Sequence, residues 1–449
     1  MTEGVSAARP AESDAQDERV RTLTVRGATV LGVGSMIGAG IFALLGEAGA
    51  IAGAAVWISF LIGGVVAGLL GYVCSKLGMR YPSSGGLITY LIEGFGSGRL
   101  VGVTSWLGYI SAVVVVTAMV AVSFGGYAVS LFVGDNGWSG WDNVFITSLL
   151  VVMCALNMVG ARVVAAAQAA IVTGVLAVFG VFIFVTVPKI DTSLLAFDTY
   201  PSASKIIASV ALTFFAFLGF NVITFTAGDL KNPRRDLPRA MALSLGITTV
   251  VYVLIAIGVF GTLTVTEVIG YGETAIAEAA RPSLGDAGFK IMAVAALLST
   301  AGCTNATLYA SDNLTGMLAE ARFFPAFFGP GTLLGRHAGL LITTALVLVI
   351  ANLATLGAIA SVGSAVSMMV FVLVALAGWR RRHDTGSNPA IVLASIALIL
   401  VVLGFFVADT IENAPETFGA MIGVALLAIV LDAVFRRTSP QSPPSAKEV

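Results

Sequence analysis

Four glycines crowd the first long apolar run of the chain, GVGSMIGAGIF, at Gly32, Gly34, Gly38 and Gly40. Gly219 interrupts the sixth run, LTFFAFLGFNVITFTAGDLKNP, among Phe214, Phe215, Phe217 and Phe220. Non-helical backbone in hydrocarbon costs several kcal/mol per unsatisfied group, so it survives only where it lines a cavity within the protein. A helix broken there frees N–H groups on one half and C=O groups on the other, with roughly half a unit charge at each end. A zwitterionic solute matches those poles, its carboxylate meeting amides and its ammonium meeting carbonyls, and it needs no ionised side chain. Gly34 and Gly38 also form a small-xxx-small pair, whose ordinary role is close helix packing.

The elements that carry these glycines follow from composition. Of 449 residues, 57% are hydrophobic and 11% charged, with a mean hydropathy of +0.96; soluble domains carry about 25% charged residues. A helix across the ~30 Å hydrocarbon layer needs about 20 apolar residues. That criterion predicts an all-α membrane protein with twelve spans: 27–47, 51–75, 100–132, 143–160, 163–187, 205–228, 240–264, 288–318, 338–353, 356–379, 389–408 and 417–435. The pairs 27–47/51–75 and 338–353/356–379 are joined by very short turns, so their division is the least defined. With the N-terminus inside, Lys189, Lys205, Arg281 and Lys290 are the outer basic residues, and the other 20 of 24 lie inside. The positive-inside rule thus places both termini in the cytoplasm of a multi-pass protein of the cell membrane.

Spans one and six head two successive five-span units. Five is odd, so the units cross the bilayer in opposite directions, and glycine-interrupted segments at matching positions of two halves point to a substrate site in inverted-repeat carriers. The expected organisation is a disordered tail (1–25), a first five-helix repeat (26–187), a second, inverted one (188–380), helices eleven and twelve (381–437) and a disordered tail (438–449).

Other chemistries are poorly served. The histidines, His337 and His383, fall in predicted cytoplasmic loops, and neither HExxH nor GxSxG occurs, which argues against an enzyme. Cys74, Cys154 and Cys303 are far apart, each inside an apolar run, as for buried thiols rather than a metal site or a disulfide framework. A net charge of −1 gives no bias towards nucleic acid. No metal or cofactor is expected. Residues 1–25 lack the apolar core of a signal peptide, so the first apolar run is expected to direct insertion.

Five ordered stretches carry a resemblance: Gly34-Ser-Met-Ile-Gly-Ala-Gly-Ile-Phe42, Pro82-Ser-Ser-Gly-Gly-Leu-Ile-Thr-Tyr90, Phe214-Phe-Ala-Phe-Leu-Gly-Phe220, Lys231-Asn-Pro-Arg-Arg-Asp-Leu-Pro-Arg239 and Asn305-Ala-Thr-Leu-Tyr309. Over roughly residues 25–435 the chain resembles the amino acid–polyamine–organocation permeases. The resemblance implies the leucine-transporter-type fold, a five-plus-five inverted repeat with helices 1 and 6 broken and two helices outside it. The substrate site would draw on Ser35, Met36, Ile37, Gly38, Ala39, Gly40, Phe215, Ala216, Phe217, Leu218 and Gly219. Amides of Ala39 and Gly40 would hold a substrate carboxylate; carbonyls near Met36, Ile37, Phe215 and Leu218 would hold its ammonium. Phe215 is the expected aromatic lid, and Ser35 either contacts substrate or bonds back to its own helix.

The implied function is secondary transport of an amino acid by alternating access. The position after Gly219-Phe220, sometimes acidic in the family, is Asn221; Glu93, Asp229 and Asp312 lie near cytoplasmic ends, and Phe124 is an apolar lining candidate. That favours a neutral amino acid, with a polyamine or organic-cation carrier, or an exchanger, as alternatives. The coupling ion, H⁺ or Na⁺, stays open. Several relatives carry a fifth-helix lysine, but span five has Gln168 and Thr173 as its polar residues. A Na⁺ site would use Gly34, Ile37, Ser299 and Thr300, with Thr304 nearby, but Ala301 and Gly302 stand where hydroxyls would be wanted.

Overall fold

The computed structural model describes residues 23–83, 85–134, 138, 140–159, 164–328 and 337–438. Most of both expected tails, Arg162, and the side chains of Ala39 and Gln168 lie outside the described residues. The described chain is helical throughout, and its β-type pairing is an isolated bridge between Leu23 and Leu230.

The N-terminal rod is α1 (Val25–Ala39) followed by α2 (Ile41–Ala52), then α3 (Val56–Arg80) and the short α4 (Leu87–Phe95). The next rod joins α5 (Arg99–Tyr109) to α6 (Val116–Phe132) through a π-helical stretch, Ile110–Val115; then follow α7 (Trp141–Val159) and α8 (Val164–Thr186). The second broken rod is α9 (Ala203–Ala216), a 3₁₀ turn (Leu218–Phe220) and α10 (Asn221–Phe225). Beyond it lie α11 (Pro233–Phe260), α12 (Val265–Tyr271), α13 (Ala275–Glu320), α14 (Ala338–Leu353), α15 (Leu356–Arg380), α16 (Arg382–Thr385), α17 (Pro389–Asn413) and α18 (Pro415–Thr438). Ten helical stretches among the described residues are long and apolar enough to cross a membrane, and Val25–Gly38 and Ala338–Leu353 are shorter apolar helices.

Boundaries differ from expectation where glycine turns the chain. The first rod runs to Ala52 rather than ending near 47, because the turn falls at Gly53, whose φ of +55° favours a residue without Cβ. The helix expected at 288–318 extends to Glu320, and Gly285 (φ +64°) bends the chain before it.

The α9, α15 and α5–α6 stretches are largely buried, whereas α7, α17 and α18 are largely exposed, so the broken α9 sits in the core and the last two helices at the periphery. The most extensive helix pair is α3 with α11. Gly64, Gly71 and Gly78 form its seam, facing Thr249, then Met241 and Leu245, then Leu237. Hydroxyls join α3 to α9: Thr213 donates to the Ser59 carbonyl (2.8 Å), and Ser209 Oγ to Ser59 Oγ (2.6 Å). The three cysteines are buried and free, as expected.

Sequence reading overlooked Asp432, which is 1% exposed in the middle of an apolar stretch. Its carboxylate accepts from Arg436 Nε at 3.0 Å and lies 3.9 Å from Arg99 Nε, while Arg436 also donates to the Gly98 carbonyl. A buried acid is tolerable when so paired, and this pairing pins α18 to the start of α5. Asp432→Asn is expected to cost roughly 1–3 kcal/mol, the range for losing a buried, charge-assisted bond. Thermal unfolding in detergent reads this as a lowered midpoint; an unchanged midpoint would show that the pair contributes nothing.

Candidate functional site

The two breaks meet. Gly40, between α1 and α2, leaves helical geometry at φ −105°, ψ −83°. A Cβ there would lie 2.6 Å from the Ala216 carbonyl, 2.7 Å from the Met36 carbonyl and against the Tyr252 hydroxyl. Gly219, inside the 3₁₀ turn, is laid on the other strand of backbone: its Cβ would sit 2.5 Å from the Ser35 carbonyl carbon, 2.8 Å from the Met36 Cα and against the Met36 nitrogen. Real Cβ atoms do not approach backbone so closely, so each glycine permits one main chain to lie directly on the other. A second tie holds the far ends of these segments: the Leu23 amide donates to the Asp229 carbonyl (3.1 Å), and the Lys231 amide to the Leu23 carbonyl (3.3 Å).

Breaking the helices releases carbonyls. In an unbroken helix the Met36 carbonyl would accept from residue 40 and the Ala216 carbonyl from residue 220. Here the Phe220 amide turns back to Phe217 (3.0 Å). Tyr252 of α11 supplies the replacement: its hydroxyl donates to the Met36 carbonyl at 2.6 Å and lies 3.3 Å from the Ala216 carbonyl. One side chain therefore touches both carbonyl ends. Its ring is fully buried, 5.4 Å from Phe60 and 5.1 Å from Phe217 between centroids.

The other expected site residues fall around this junction. Met36 and Ile37 are buried, Ser35 is half-buried, and Gly38 packs on α13, where a Cβ would be 2.8 Å from Cys303 Cβ and 2.9 Å from the Ser299 carbonyl. Ala39 ends α1. Phe215, Ala216, Phe217 and Leu218 are buried, with the Phe215 ring against Gly363 of α15. Val115, the last residue of the π-helical stretch, packs on that same glycine. Asn221 opens α10, buried and with no hydrogen-bond partner for its side-chain carbonyl among the described residues. Phe124 is half-buried in α6.

The four residues expected at a cation site are split in character. Gly34 packs on Val172 of α8, and Ile37 is buried. Ser299 and Thr300 are buried in α13, where the Thr300 hydroxyl donates to the Ala296 carbonyl (2.7 Å). The Thr304 hydroxyl is buried and has no partner among the described residues, whereas Thr173 bonds back to Ala169 (2.9 Å). The three acids singled out from the sequence lie elsewhere. Glu93 is 3.9 Å from Arg381, and Asp312 is 3.4 Å from His337 and also accepts from the Leu340 amide. Asp229 belongs to the segment bridged to Leu23.

Tyr252 was not singled out from the sequence. Its signal was a single tyrosine inside the apolar run TTVVYVLIAIGVF, since a buried tyrosine hydroxyl ordinarily has a partner. Glu47 in α2 was also passed over; its carboxylate packs against Gly357. It stands seven residues beyond Gly40, about 10 Å along the helix at 1.5 Å per residue.

Residues 23–428 match the amino acid permease family. The chain is 30% identical over 408 residues to the inner membrane transport protein YbaT of Escherichia coli, covering 91% of this chain and 94% of that one. It is 34% identical over 431 residues to protein MJ0609 of Methanocaldococcus jannaschii, covering 93% and 97%. It is 29% identical over 304 residues to the serine/threonine exchanger SteT of Bacillus subtilis, covering 66% and 68%. With so much of the chain matched and ten helices able to cross a bilayer, this protein is a multi-pass membrane transporter that belongs to the amino acid permease family.

Proposed function

We propose that the protein is a secondary carrier of neutral amino acids working by alternating access, and that the crossing of the two broken helices is its substrate site. The observation that carries this reading is the crossing itself: Gly40 laid on Ala216 and Gly219 laid on Ser35–Met36, with the Met36 and Ala216 carbonyls converging there. The half-helix ends supply opposite partial charges, so a zwitterion is recognised by backbone alone. The Ala39 and Gly40 amides take its carboxylate, and the carbonyls near Met36, Ile37, Phe215 and Leu218 take its ammonium. Phe215 closes the site as its aromatic lid.

The surroundings favour a neutral side chain. Met36, Ile37, Phe215, Phe217 and Phe220 are buried beside the breaks, and Asn221 offers a neutral amide. A polyamine or a cationic amino acid carries a further charge that needs a carboxylate, and Glu93, Asp312 and Asp229 lie elsewhere, the first beside Arg381 and the second beside His337. The serine/threonine exchanger among the relatives is consistent with a small neutral substrate.

In this reading α1–α2 form span one, α3 span two and α9–α10 span six, and with α14 counted beside the other long stretches the spans number twelve. The first ten form the inverted five-plus-five repeat, and both termini are cytoplasmic. Spans 1, 2, 6 and 7 rock against 3, 4, 8 and 9, exposing the crossing to each side in turn. For cation coupling, Gly34, Ile37, Ser299 and Thr300 remain the proposed group, joined by the unpartnered Thr304 hydroxyl; exchange without an ion is the alternative.

Purified protein in liposomes, given labelled amino acids under Na⁺ or pH gradients, tests the substrate class. Saturable uptake of a neutral amino acid is expected; uptake confined to polyamines or cationic amino acids would overturn it. The site is tested by Gly219→Ala and Gly40→Val, which place carbon where backbone atoms stand. Such overpacking typically costs about 1–3 kcal/mol, and both variants are expected to lose at least tenfold in transport while remaining monodisperse. Gly246→Ala, with no atom within 4 Å of the added carbon, serves as control. Normal transport by Gly219→Ala would place the substrate elsewhere.

A further inference from the structure

Tyr252 does with one hydroxyl what the preceding section assigns to the substrate's ammonium. It donates to the Met36 carbonyl (2.6 Å) and reaches the Ala216 carbonyl (3.3 Å) across the two breaks. A phenol hydroxyl is a donor that can meet such a carbonyl without carrying charge. Its ring is fixed by Phe60 and Phe217, so the hydroxyl is delivered to the junction rather than drifting into it. The residue comes from α11, which packs along α3 through the glycine seam, and so belongs to neither broken rod.

A carrier that crosses the membrane unloaded must close around its site without leaving these backbone groups bare in a dry interior. A buried carbonyl or amide left unpaired is strongly unfavourable, and without an internal partner the closed, unloaded form would be rare. The carrier would then run only as an obligatory exchanger. We propose that Tyr252 is an internal stand-in for the substrate's ammonium: it bridges the two broken helices when no solute does, and thereby sets the share of net transport over exchange. This rests on the substrate site proposed above. It implies that the incoming ammonium and the Tyr252 hydroxyl compete for the Met36 carbonyl.

The test is Tyr252→Phe, which keeps the ring and removes the oxygen. Net uptake into liposomes without internal substrate and exchange into liposomes preloaded with the same neutral amino acid are measured side by side. Net uptake is expected to fall by roughly tenfold more than exchange, the factor that one buried hydrogen bond supplies. KM in the exchange mode is expected to fall, because a competitor for the carbonyl has gone. Equal losses in both modes, or no change in either, would overturn the proposal. Tyr127→Phe is the control: that tyrosine is equally buried, and its hydroxyl has no partner among the described residues. It is expected to leave the ratio unchanged, and a matching shift there would also overturn the proposal.

A second readout separates this idea from the substrate reading. Without added solute, Tyr252→Phe is expected to melt below the parent protein in detergent, and a saturating neutral amino acid is expected to narrow the gap. If the parent carries no amino acid in either mode, the substrate reading fails. The solute-free melting gap still judges the bridge, and a midpoint equal to the parent's would sink it.

Discussion

Everything at the centre of this protein depends on two polypeptide backbones touching without side chains between them. Gly40 lies against the Ala216 carbonyl, and Gly219 against Ser35 and Met36. A single Cβ at either position would separate the strands, and the polar groups released by the breaks would no longer converge. The cost of breaking a helix in an apolar interior is offset locally, by turning the Phe220 amide back to Phe217 and by bringing in the Tyr252 hydroxyl. The surrounding helices then hold the crossing in place: hydroxyls of α9 tie it to α3, Gly38 seats α1 on α13, and the Leu23–Leu230 bridge fastens the two broken segments a second time.

Much of this was legible in the sequence because membrane constraints are severe. Long apolar runs can only be helices in lipid, so the all-helical architecture follows from composition. Gly40 and Gly219 marked the breaks, and the count of five-span units supplied their pairing, while Gly34 and Gly38 lie within α1 and serve helix packing. Helix ends were less legible. Gly53 turns the chain inside an apolar stretch, AGAIAGAAVW, whose hydropathy does not change across the turn, and a hydropathy window cannot see a φ angle.

Individual polar side chains were harder still. Asp432 falls inside the last expected span, 417–435, where nothing in the spacing marks it out, yet it is almost wholly buried and paired with Arg436. Tyr252 looked like one aromatic among many. Its role depends on a partner 216 positions away, and sequence spacing carries no information about which distant backbone atom a hydroxyl will meet. The Thr300 hydroxyl illustrates the same limit: its type suits a cation ligand, and its geometry bonds it within its own helix.

The glycine seam between α3 and α11 has a mechanical consequence. Gly64, Gly71 and Gly78 recur every seventh residue along α3, each opposite a residue of α11, so the seam spans about 21 Å at 1.5 Å per residue. Two helices locked together over most of the ~30 Å hydrocarbon layer bend far less than either would alone. They act as a stiff beam with Tyr252 mounted on one flank. A tilt of roughly 10° at one end would swing the other by about 5 Å across that layer. Where the beam leans, the hydroxyl leans with it, so a tilt of this pair and the polar environment of the crossing are geared to each other.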